Sequence, residues 1–204
     1  MSQEYEFAYK LSVLLGKVRT TVPIVPYIPT RRQPPQRSLN VVSAWEGNQN
    51  ILADLIERFH IDTKRCLEFG VEYGFSAVAL SSFFASVTGV DTFHGDQHTI
   101  NKDDIFDETV RRLSPYSNIE LIRSDYRDFI KQEHGTYGLI HVDIIHTYAD
   151  TFACGLWSAR HSDCTIFHDT NSFAPVRQAV LDVARKTGKK FYNFQESYGL
   201  GIVV

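Results

Sequence analysis

The feature that most constrains this chain is a stretch over residues 65–80 in which a short apolar run, a glycine turn and a helical pattern follow one another. The run ends at Glu68, the turn carries Gly70 and Gly74, and the helical pattern begins at Ser76. Glycine permits a tight turn and, because it has no Cβ, lets a ligand lie against the backbone. The helix start adds N–H groups without an intrahelical partner. Two interpretations stay open here: a ligand-binding βα turn, or a turn that binds nothing.

The composition bounds the class of protein. Of the 204 residues, 43% are hydrophobic and 22% are charged, which suits one α/β domain with a filled core. The formal net charge of −3 lacks the basic excess of a nucleic-acid binder, so we expect no nucleic-acid partner. No apolar run approaches the ~20 residues that span a bilayer, so we expect no transmembrane segment. The three cysteines lack CxxC spacing, which predicts reduced thiols in a cytoplasmic protein.

The first part of the chain differs in character from the rest. Residues 5–18 place apolar side chains at helical spacing, which predicts an amphipathic helix. Five prolines within residues 23–35 predict an extended arm that is unsuited to a helix or a central strand. We therefore divide the chain into an N-terminal helix and arm, residues 1–38, and a compact domain, residues 39–204. The helix could dock on the domain, form a homodimer contact or lie on a membrane surface; we favour docking, with a dimer contact second.

Strand-like and helix-like segments alternate through the compact domain. The predicted strands cover residues 64–69, 87–93, 118–123, 138–142, 164–167, 190–194 and 200–204. The predicted helices cover residues 51–59, 76–85, 103–113, 126–132, 148–159 and 176–187. This alternation predicts parallel βαβ units, and the last two strands predict a hairpin that adds an antiparallel edge. The predicted fold is a Rossmann-like α/β domain with a mostly parallel seven-stranded sheet and helices on both faces.

Acidic and polar side chains follow most of the predicted strands at the point where each strand ends. In doubly wound folds, ligands bind at this edge of the sheet. Asp91 ends the second strand 21 positions after Gly70, where an acid can accept hydrogen bonds from both hydroxyls of a ribose. Residues 124–126 follow the third strand, residues 143–146 the fourth and residues 168–171 the fifth. Together these placements predict a site for a nucleoside-type ligand.

The glycine spacing discriminates between two such ligands. The nicotinamide dinucleotide fingerprint has the spacing G-x-G-x-x-G, and residues 70–74 lack its close glycine pair. Glu72 would also bring a negative charge near a pyrophosphate. The acid at position 68 suits a ligand with an ammonium and a sulfonium group, which favours S-adenosylmethionine.

Four blocks of the chain resemble a known family. Residues 68–76 (EFGVEYGFS) resemble motif I of the class I S-adenosylmethionine-dependent methyltransferases. Residues 89–98, 141–148 and 167–171 resemble three blocks of one bacterial branch, the methyltransferase-24-like group, which is related to the catechol and macrocin O-methyltransferases. The blocks occur in family order, and the resemblance covers residues 39–204. Members of this branch are often found with glycosyltransferases and glycan-modifying enzymes.

The resemblance implies a set of cofactor-binding residues. Glu68, Gly70 and Gly74 would hold the methionine part of S-adenosylmethionine. Asp91 would bind the ribose and Asp125 the adenine. The predicted set is completed by four neighbours of these residues: Glu72, Ser76, Thr92 and Tyr126.

The resemblance also implies a divalent cation. Asp143 and Asp169, together with Asn171 or Thr170, fall where the catechol-type relatives hold their metal. Oxygen ligands of this kind suit Mg²⁺ or Mn²⁺ better than zinc. The chain departs from the family pattern at residues 144–145, which are both isoleucine and supply no oxygen ligand.

The remaining implied role is that of a general base. His146 lies three residues after Asp143, where the relatives keep their base, and an imidazole titrates near neutral pH. The predicted catalytic residues are therefore His146, Asp143 and Asp169. For His141, inside an apolar strand, and for His168, beside Asp169, we expect structural roles first.

The predicted activity is methylation of a hydroxyl group on a sugar, glycan or other small molecule. Two rival hypotheses are a nicotinamide-dependent oxidoreductase on a similar sheet and a catalytically silent cofactor-binding module that assembles through its N-terminal arm. One fold hosts many functions, so the acceptor does not follow from the architecture.

Overall fold

The computed structural model describes residues 22–95, 102–132 and 135–204. The strands are β1 (Ile24–Pro26), β2 (Arg65–Phe69), β3 (Ser86–Asp91), β4 (Ile119–Arg123), β5 (Tyr137–Val142), β6 (Ser162–Phe167), β7 (Phe191–Phe194) and β8 (Leu200–Val203). The helices are α1 (Leu52–Phe59), α2 (Phe75–Leu80), α3 (Phe106–Leu113), α4 (Tyr126–Phe129), α5 (Tyr148–His161) and α6 (Ala174–Thr187). A 3₁₀ helix at Asn48–Ile51 leads into α1.

The described strands form one sheet in the order β1-β7-β8-β6-β5-β2-β3-β4. Every neighbouring pair is parallel except those made by β8, which runs antiparallel to both β6 and β7. The predicted α/β fold class with a mostly parallel sheet is confirmed. The sheet has one strand more than the seven predicted, and its antiparallel strand lies between β6 and β7 rather than at the edge.

Helices cover both faces of the sheet because successive side chains of a strand point to opposite faces. On β2, Cys66 packs in a cluster with Leu52 of α1 and Leu80 of α2. The next residue, Leu67, packs in a second cluster with side chains from α4, α5 and α6. A third cluster joins α2 to α3. The parallel strands β2, β5 and β6 are thus buried from both sides, which is the normal environment of a parallel sheet.

Three helices are shorter than the apolar pattern predicts: the one predicted over residues 126–132 ends at Phe129, and side chains explain the bounds of the other two. The helix predicted over residues 76–85 ends at Leu80, and the amide of Asn118 donates hydrogen bonds to the carbonyls of Ser81 and Phe84 in the turn that follows. The helix predicted over residues 103–113 begins at Phe106, whose N–H donates to the carboxylate of Asp104.

The described part of the arm lies against the domain. β1 pairs in parallel with β7, which adds the unpredicted edge strand, and the proline at its end is tolerated because the outer edge needs no donor. The Tyr27 hydroxyl donates to the buried carboxylate of Asp54 in α1, and Arg32 forms an ion pair of 2.5 Å with Glu196. The helix predicted over residues 5–18, and any dimer contact through it, lie outside the described residues. The division at residue 38 stays a prediction.

In the described part of the chain, no helix has the length and apolar character needed to cross a membrane.

Candidate active site

A cavity of about 460 Å³ opens at the carboxyl ends of the strands, where the strand order reverses between β5 and β2. The loops that follow β2, β3, β4, β5 and β6 contribute to its wall, together with residues 41–45. Ligands of open α/β sheets bind at such a reversal of strand order, and small-molecule sites have volumes of about 300–1,000 Å³. The fold therefore brings most of the predicted strand-end residues to one cavity.

The first glycine of the turn is required by a close approach of two strand ends. Gly70 has φ +87°, and a Cβ added there would lie 1.7 Å from the carbonyl oxygen of Asp143. Gly74, with φ +90°, is required by packing against the side chain of Leu113 in α3. Gly70 lines the cavity, whereas Gly74 supports the turn from outside the lining.

Asp91 holds the turn that follows β2. Its Oδ2 accepts hydrogen bonds from the N–H groups of Val71 (2.7 Å) and Glu72 (2.9 Å), and its Oδ1 accepts one from the N–H of Phe93 (2.7 Å). The backbone donors that would otherwise receive a phosphate group in this turn are thus engaged by a carboxylate. Asp91, Thr92 and Glu72 all line the cavity, as the sequence predicts.

Glu72 adds a second acid to the same part of the wall. Burial, together with the neighbouring carboxylates of Asp143 and Asp91, raises the pKa of its side chain. The negative charges concentrated here disfavour an anionic ligand group and favour a cationic one.

Glu68 occupies a position that differs from the one predicted. It is fully buried, does not line the cavity, and its Oε1 is 2.8 Å from Nδ1 of His141, its register partner on β5. Trp45 Nε1 donates to the other ring nitrogen of His141 over 3.1 Å. His141 therefore carries its hydrogen on Nδ1 and donates it to Glu68. Glu68 is therefore linked through His141 to Trp45, which lines the cavity, and its predicted contact with a cofactor stays a prediction.

Strand register is the signal that sequence reasoning missed at this point. Glu68 and His141 are adjacent on the same face of neighbouring strands, and a buried acid requires such a partner. The prediction that His141 is a hydrogen-bonded core histidine agrees with the structure.

The loop after β4 forms the opposite wall of the cavity. Asp125 caps α4 by accepting a hydrogen bond from the N–H of Arg127 (2.7 Å), and its carboxylate also pairs with the guanidinium of Arg127 (2.9 Å). The Tyr126 hydroxyl donates to Asp150 over 2.8 Å, which fixes its ring. Asp125, Tyr126 and Ser76 line the cavity as predicted, and Arg127 lines it without having been predicted.

Two carboxylates and two histidines converge where β5 and β6 end. His146 Nε2 lies 3.0 Å from Asp169 Oδ2 and 3.7 Å from Asp143 Oδ1. His168 Nδ1 lies 3.3 Å from Asp143 Oδ2 and 3.2 Å from Asp169 Oδ2. The ring of His146 also stacks on Phe173, with the ring centroids 4.2 Å apart. The three predicted catalytic residues are therefore in mutual contact, and His168 joins them.

Ion pairing controls the ionisation of this cluster. Burial alone would raise the pKa of Asp143, but His168 and His146 outweigh it and hold that pKa well below its usual range. The pKa of Asp169 is likewise lowered, to about 2, because its hydrogen bonds to the two histidines outweigh burial. In return, the carboxylates overcome burial and raise the pKa of His146 to about 9 and that of His168 to about 10.

The predicted cation ligands come together only in part. Among the described residues, Asp143, His146 and Asp169 have possible ligand atoms within 4.8 Å of one another. Asn171 does not line the cavity, and its amide donates to the carbonyl of Gln195 and accepts from Asn193, so its role as a ligand stays a prediction.

The donor set does not fit a divalent cation of the Mg²⁺ type. The alternative ligand Thr170 donates its hydroxyl to Asn193 over 2.6 Å, and residues 144–145 bring apolar side chains. The carboxylate oxygens of Asp143 and Asp169 already face imidazole nitrogens, whereas Mg²⁺ requires a nearly octahedral set of oxygen ligands.

The sheet order and the cavity define the Rossmann-like methyltransferase fold, and solved structures agree. The chain resembles the amino pentose methyltransferase CalS10 from Micromonospora echinaspora, with 13% identity, a TM-score of 0.57, and coverage of 100% of this chain and 97% of that one. An O-methyltransferase from Bacillus cereus matches with 13% identity, a TM-score of 0.55, and coverage of 100% and 91%. The O-methyltransferase TomG from Streptomyces achromogenes matches with 12% identity, a TM-score of 0.55, and coverage of 80% and 81%. These similarities establish the fold.

The family follows from the sequence itself. A family model described as a methyltransferase domain matches residues 67–170, more than half of the chain. The protein therefore belongs to this methyltransferase family, the methyltransferase-24 group, and the predicted family and enzyme class are confirmed. No curated protein matches the chain significantly.

The role of Gly70 can be tested against a matched glycine. We expect Gly70→Ala to lower the free energy of unfolding by at least about 2 kcal/mol more than Gly188→Ala, since only the first adds a steric clash to the unfavourable left-handed conformation. Gly188 has φ +72° and open space around its Cβ position. Urea denaturation of both variants measures the difference, and equal losses would show that the approach to Asp143 does not constrain the turn.

Proposed function

We propose that this methyltransferase uses S-adenosylmethionine to methylate a hydroxyl group of a sugar, a glycan or another small molecule. The observation that carries the proposal is the arrangement of one cavity. Asp91 and Asp125 stand at its nucleoside side, and His146 with two carboxylates stands at its other side, with Gly70 between the two groups. One side suits a nucleoside and the other suits proton removal from an acceptor.

The wall of the cavity suits a positively charged cofactor. Glu72, Asp91 and Asp143 surround the turn after β2, and the raised pKa of Glu72 reflects how closely these acids lie together. A sulfonium and an ammonium group would relieve this repulsion. A dinucleotide pyrophosphate would increase it and would find the N–H groups of Val71 and Glu72 already bonded to Asp91, which argues against the oxidoreductase hypothesis.

Within this proposal each residue of the wall has a stated task. Asp91 would bind the ribose through the carboxylate lone pairs that accept no hydrogen bond from the backbone. Asp125 and Tyr126 would flank the adenine. Ser76, at the first turn of α2, and Glu72 would face the methionine part. When bound, S-adenosylmethionine supplies a methyl group activated by the sulfonium charge. Holding that group in line with the acceptor supplies much of the rate acceleration in such displacements.

His146 is the proposed general base. A hydroxyl acceptor loses its proton as its oxygen forms the bond to the methyl carbon, and an imidazole within reach can take that proton. Asp169 and Asp143 then stabilise the imidazolium that results, in the way that the acid of a catalytic triad supports its histidine. A cation of the Mg²⁺ type, which would act by lowering the pKa of the acceptor hydroxyl, is left out of this scheme because the donor set does not fit it.

The acceptor class is supported less directly. The resemblance to a branch found with glycan-modifying enzymes, and the similarity in fold to an amino pentose methyltransferase, make a sugar the first acceptor class to test.

Cofactor binding is the first experiment. We expect S-adenosylhomocysteine to bind in calorimetric titrations and Asp91→Asn to weaken that binding at least tenfold, about 1.4 kcal/mol, because the amide is a poorer acceptor for the ribose and for the turn. Asp128→Asn is the matched control, since Asp128 is an exposed acid of α4 that pairs with Lys131 outside the cavity. Equal affinity in the folded wild type and Asp91→Asn would contradict the assigned site, and absence of binding would contradict the cofactor.

The ionisation of the proposed base can be measured without an acceptor. We expect the His146 ring to titrate near pH 9 in NMR spectra, because its carboxylate partners outweigh burial. The base form then grows as the pH rises towards 9, so methyl transfer should accelerate over the same range. Asp169→Asn should move the midpoint down towards the usual value near 6.5. A wild-type midpoint at or below 6.5 would contradict the assigned ion pairs.

A further inference from the structure

We propose that Glu68 is a positioning residue of the active site: through His141 it holds Trp45, and Trp45 fixes the wall segment, residues 41–45, that forms one side of the cavity. The proposal goes beyond methyl transfer and rests on the proposed function in one respect, namely that the cofactor binds in this cavity. It gives a task to a buried acid that the proposed chemistry does not use.

Three side chains form one chain of hydrogen bonds from the centre of the sheet to the cavity. Glu68 and His141 are register partners on β2 and β5, both are fully buried, and Oε1 of Glu68 lies 2.8 Å from Nδ1 of His141. Trp45 Nε1 lies 3.1 Å from Nε2 of the same imidazole, and the centroids of the two rings are 5.2 Å apart. Trp45 is 2% exposed and lines the cavity, which the other two residues do not.

The direction of these hydrogen bonds follows from the donor at one end. An indole N–H can only donate, so Nε2 of His141 accepts, and the one hydrogen of the neutral ring is carried by Nδ1 and donated to Glu68. A carboxylate and a carboxylic acid both offer an oxygen to this N–H. The arrangement therefore requires an oxygen acceptor at position 68 and does not depend on the charge of that side chain.

Stability alone does not explain the acid at this position. Its second oxygen, Oε2, has no hydrogen-bond partner among the residues that the structure describes. A buried polar atom without a partner lowers stability, and apolar side chains often replace buried polar pairs without loss. The neighbours Leu67 and Phe69, both fully buried, are the kind of residue that packing favours in β2. We therefore assign Glu68 a task in the site.

The wall segment is attached to the domain at its carboxyl-terminal end rather than along its length. In the described parts of the chain, its first four residues make hydrogen bonds only with close neighbours in sequence, and Val42 is 97% exposed. At the end of the segment, Trp45 contacts His141, and the carbonyl of the next residue, Glu46, accepts from the Ser197 hydroxyl over 2.6 Å. Loss of the indole contact would leave this backbone contact to hold the segment.

A ligand in the cavity depends on where the wall segment lies. The segment and the turn after β2 line the same cavity. Small-molecule sites bury most of the surface of their ligand, so a displaced wall exposes the ligand to water and weakens its binding. Glu68 thereby controls affinity from a position behind the wall.

The first test compares variants at both ends of the hydrogen-bond chain, with S-adenosylhomocysteine as the probe in calorimetric titrations. Trp45→Phe keeps an aromatic ring without the donor, and Glu68→Leu removes the acceptor, so each should weaken binding at least about tenfold. Glu68→Gln keeps an oxygen acceptor for His141 and should recover most of the affinity. Trp157→Phe changes the other tryptophan of the chain, which lies outside the cavity lining, and should bind like the wild type.

Unchanged affinity in folded Glu68→Leu or Trp45→Phe would overturn the proposal. So would a Glu68→Gln variant that binds as weakly as Glu68→Leu, because a lost ionic contact with the ligand would then explain both.

A double-mutant cycle separates positioning from direct contact with the ligand. Since Glu68 acts through Trp45, Glu68→Leu should have no further effect on affinity once Trp45→Phe is present, and the double variant should bind as weakly as either single variant. Losses that add would show that Glu68 acts on the ligand by another route, which would overturn the proposal.

A third measurement uses the wild type alone and so does not depend on the folding of any variant. Saturating S-adenosylhomocysteine should slow the backbone hydrogen exchange of the peptide that covers the wall segment, as measured by mass spectrometry. Unchanged exchange there with the ligand bound would overturn the proposal. Absence of binding to the wild type would contradict the proposed function and the role of Glu68 with it, whereas binding with additive losses would contradict the role of Glu68 alone.

Discussion

The structure of this site depends on the close approach of two strand ends. β2 and β5 are paired neighbours, and where they end Gly70 lies against the carbonyl of Asp143, so that a Cβ would be only 1.7 Å away, at the point where the strand order reverses. The crevice that opens there receives the loops of five strands. Without a glycine at this position, the turn after β2 could not lie beside the acids that follow β5.

Because the loops of five strands meet at this cavity, the acidic side chains that they carry lie close together and repel one another. Asp91 satisfies its carboxylate with three backbone N–H groups, whereas Asp143 and Asp169 rely on two histidines. Glu72 stands between these groups with a raised pKa. A cationic cofactor would relieve the repulsion at one side of the cavity, and protonated imidazoles already relieve it at the other.

The strand-end residues could be predicted from the sequence because parallel strands present their carboxyl ends at one edge whatever their exact bounds. Contacts that depend on strand register or on turns distant in the chain could not be predicted from the sequence. Glu68 faces His141 through strand register, and Asn171 is drawn away by the turn that follows β7. The strand at Ile24–Pro26 forms because it pairs with β7, and a short proline-containing segment does not predict that pairing.

The most direct test of the account is a crystal structure of the protein with S-adenosylhomocysteine. We expect the ribose at Asp91, the adenine beside Asp125 and Tyr126, and the homocysteine part along the turn at Gly70. His146 and Asp169 should then remain in contact on the far side of the cavity. A ligand bound elsewhere, or one with its ribose away from Asp91, would contradict the central claim that this cavity is the active site.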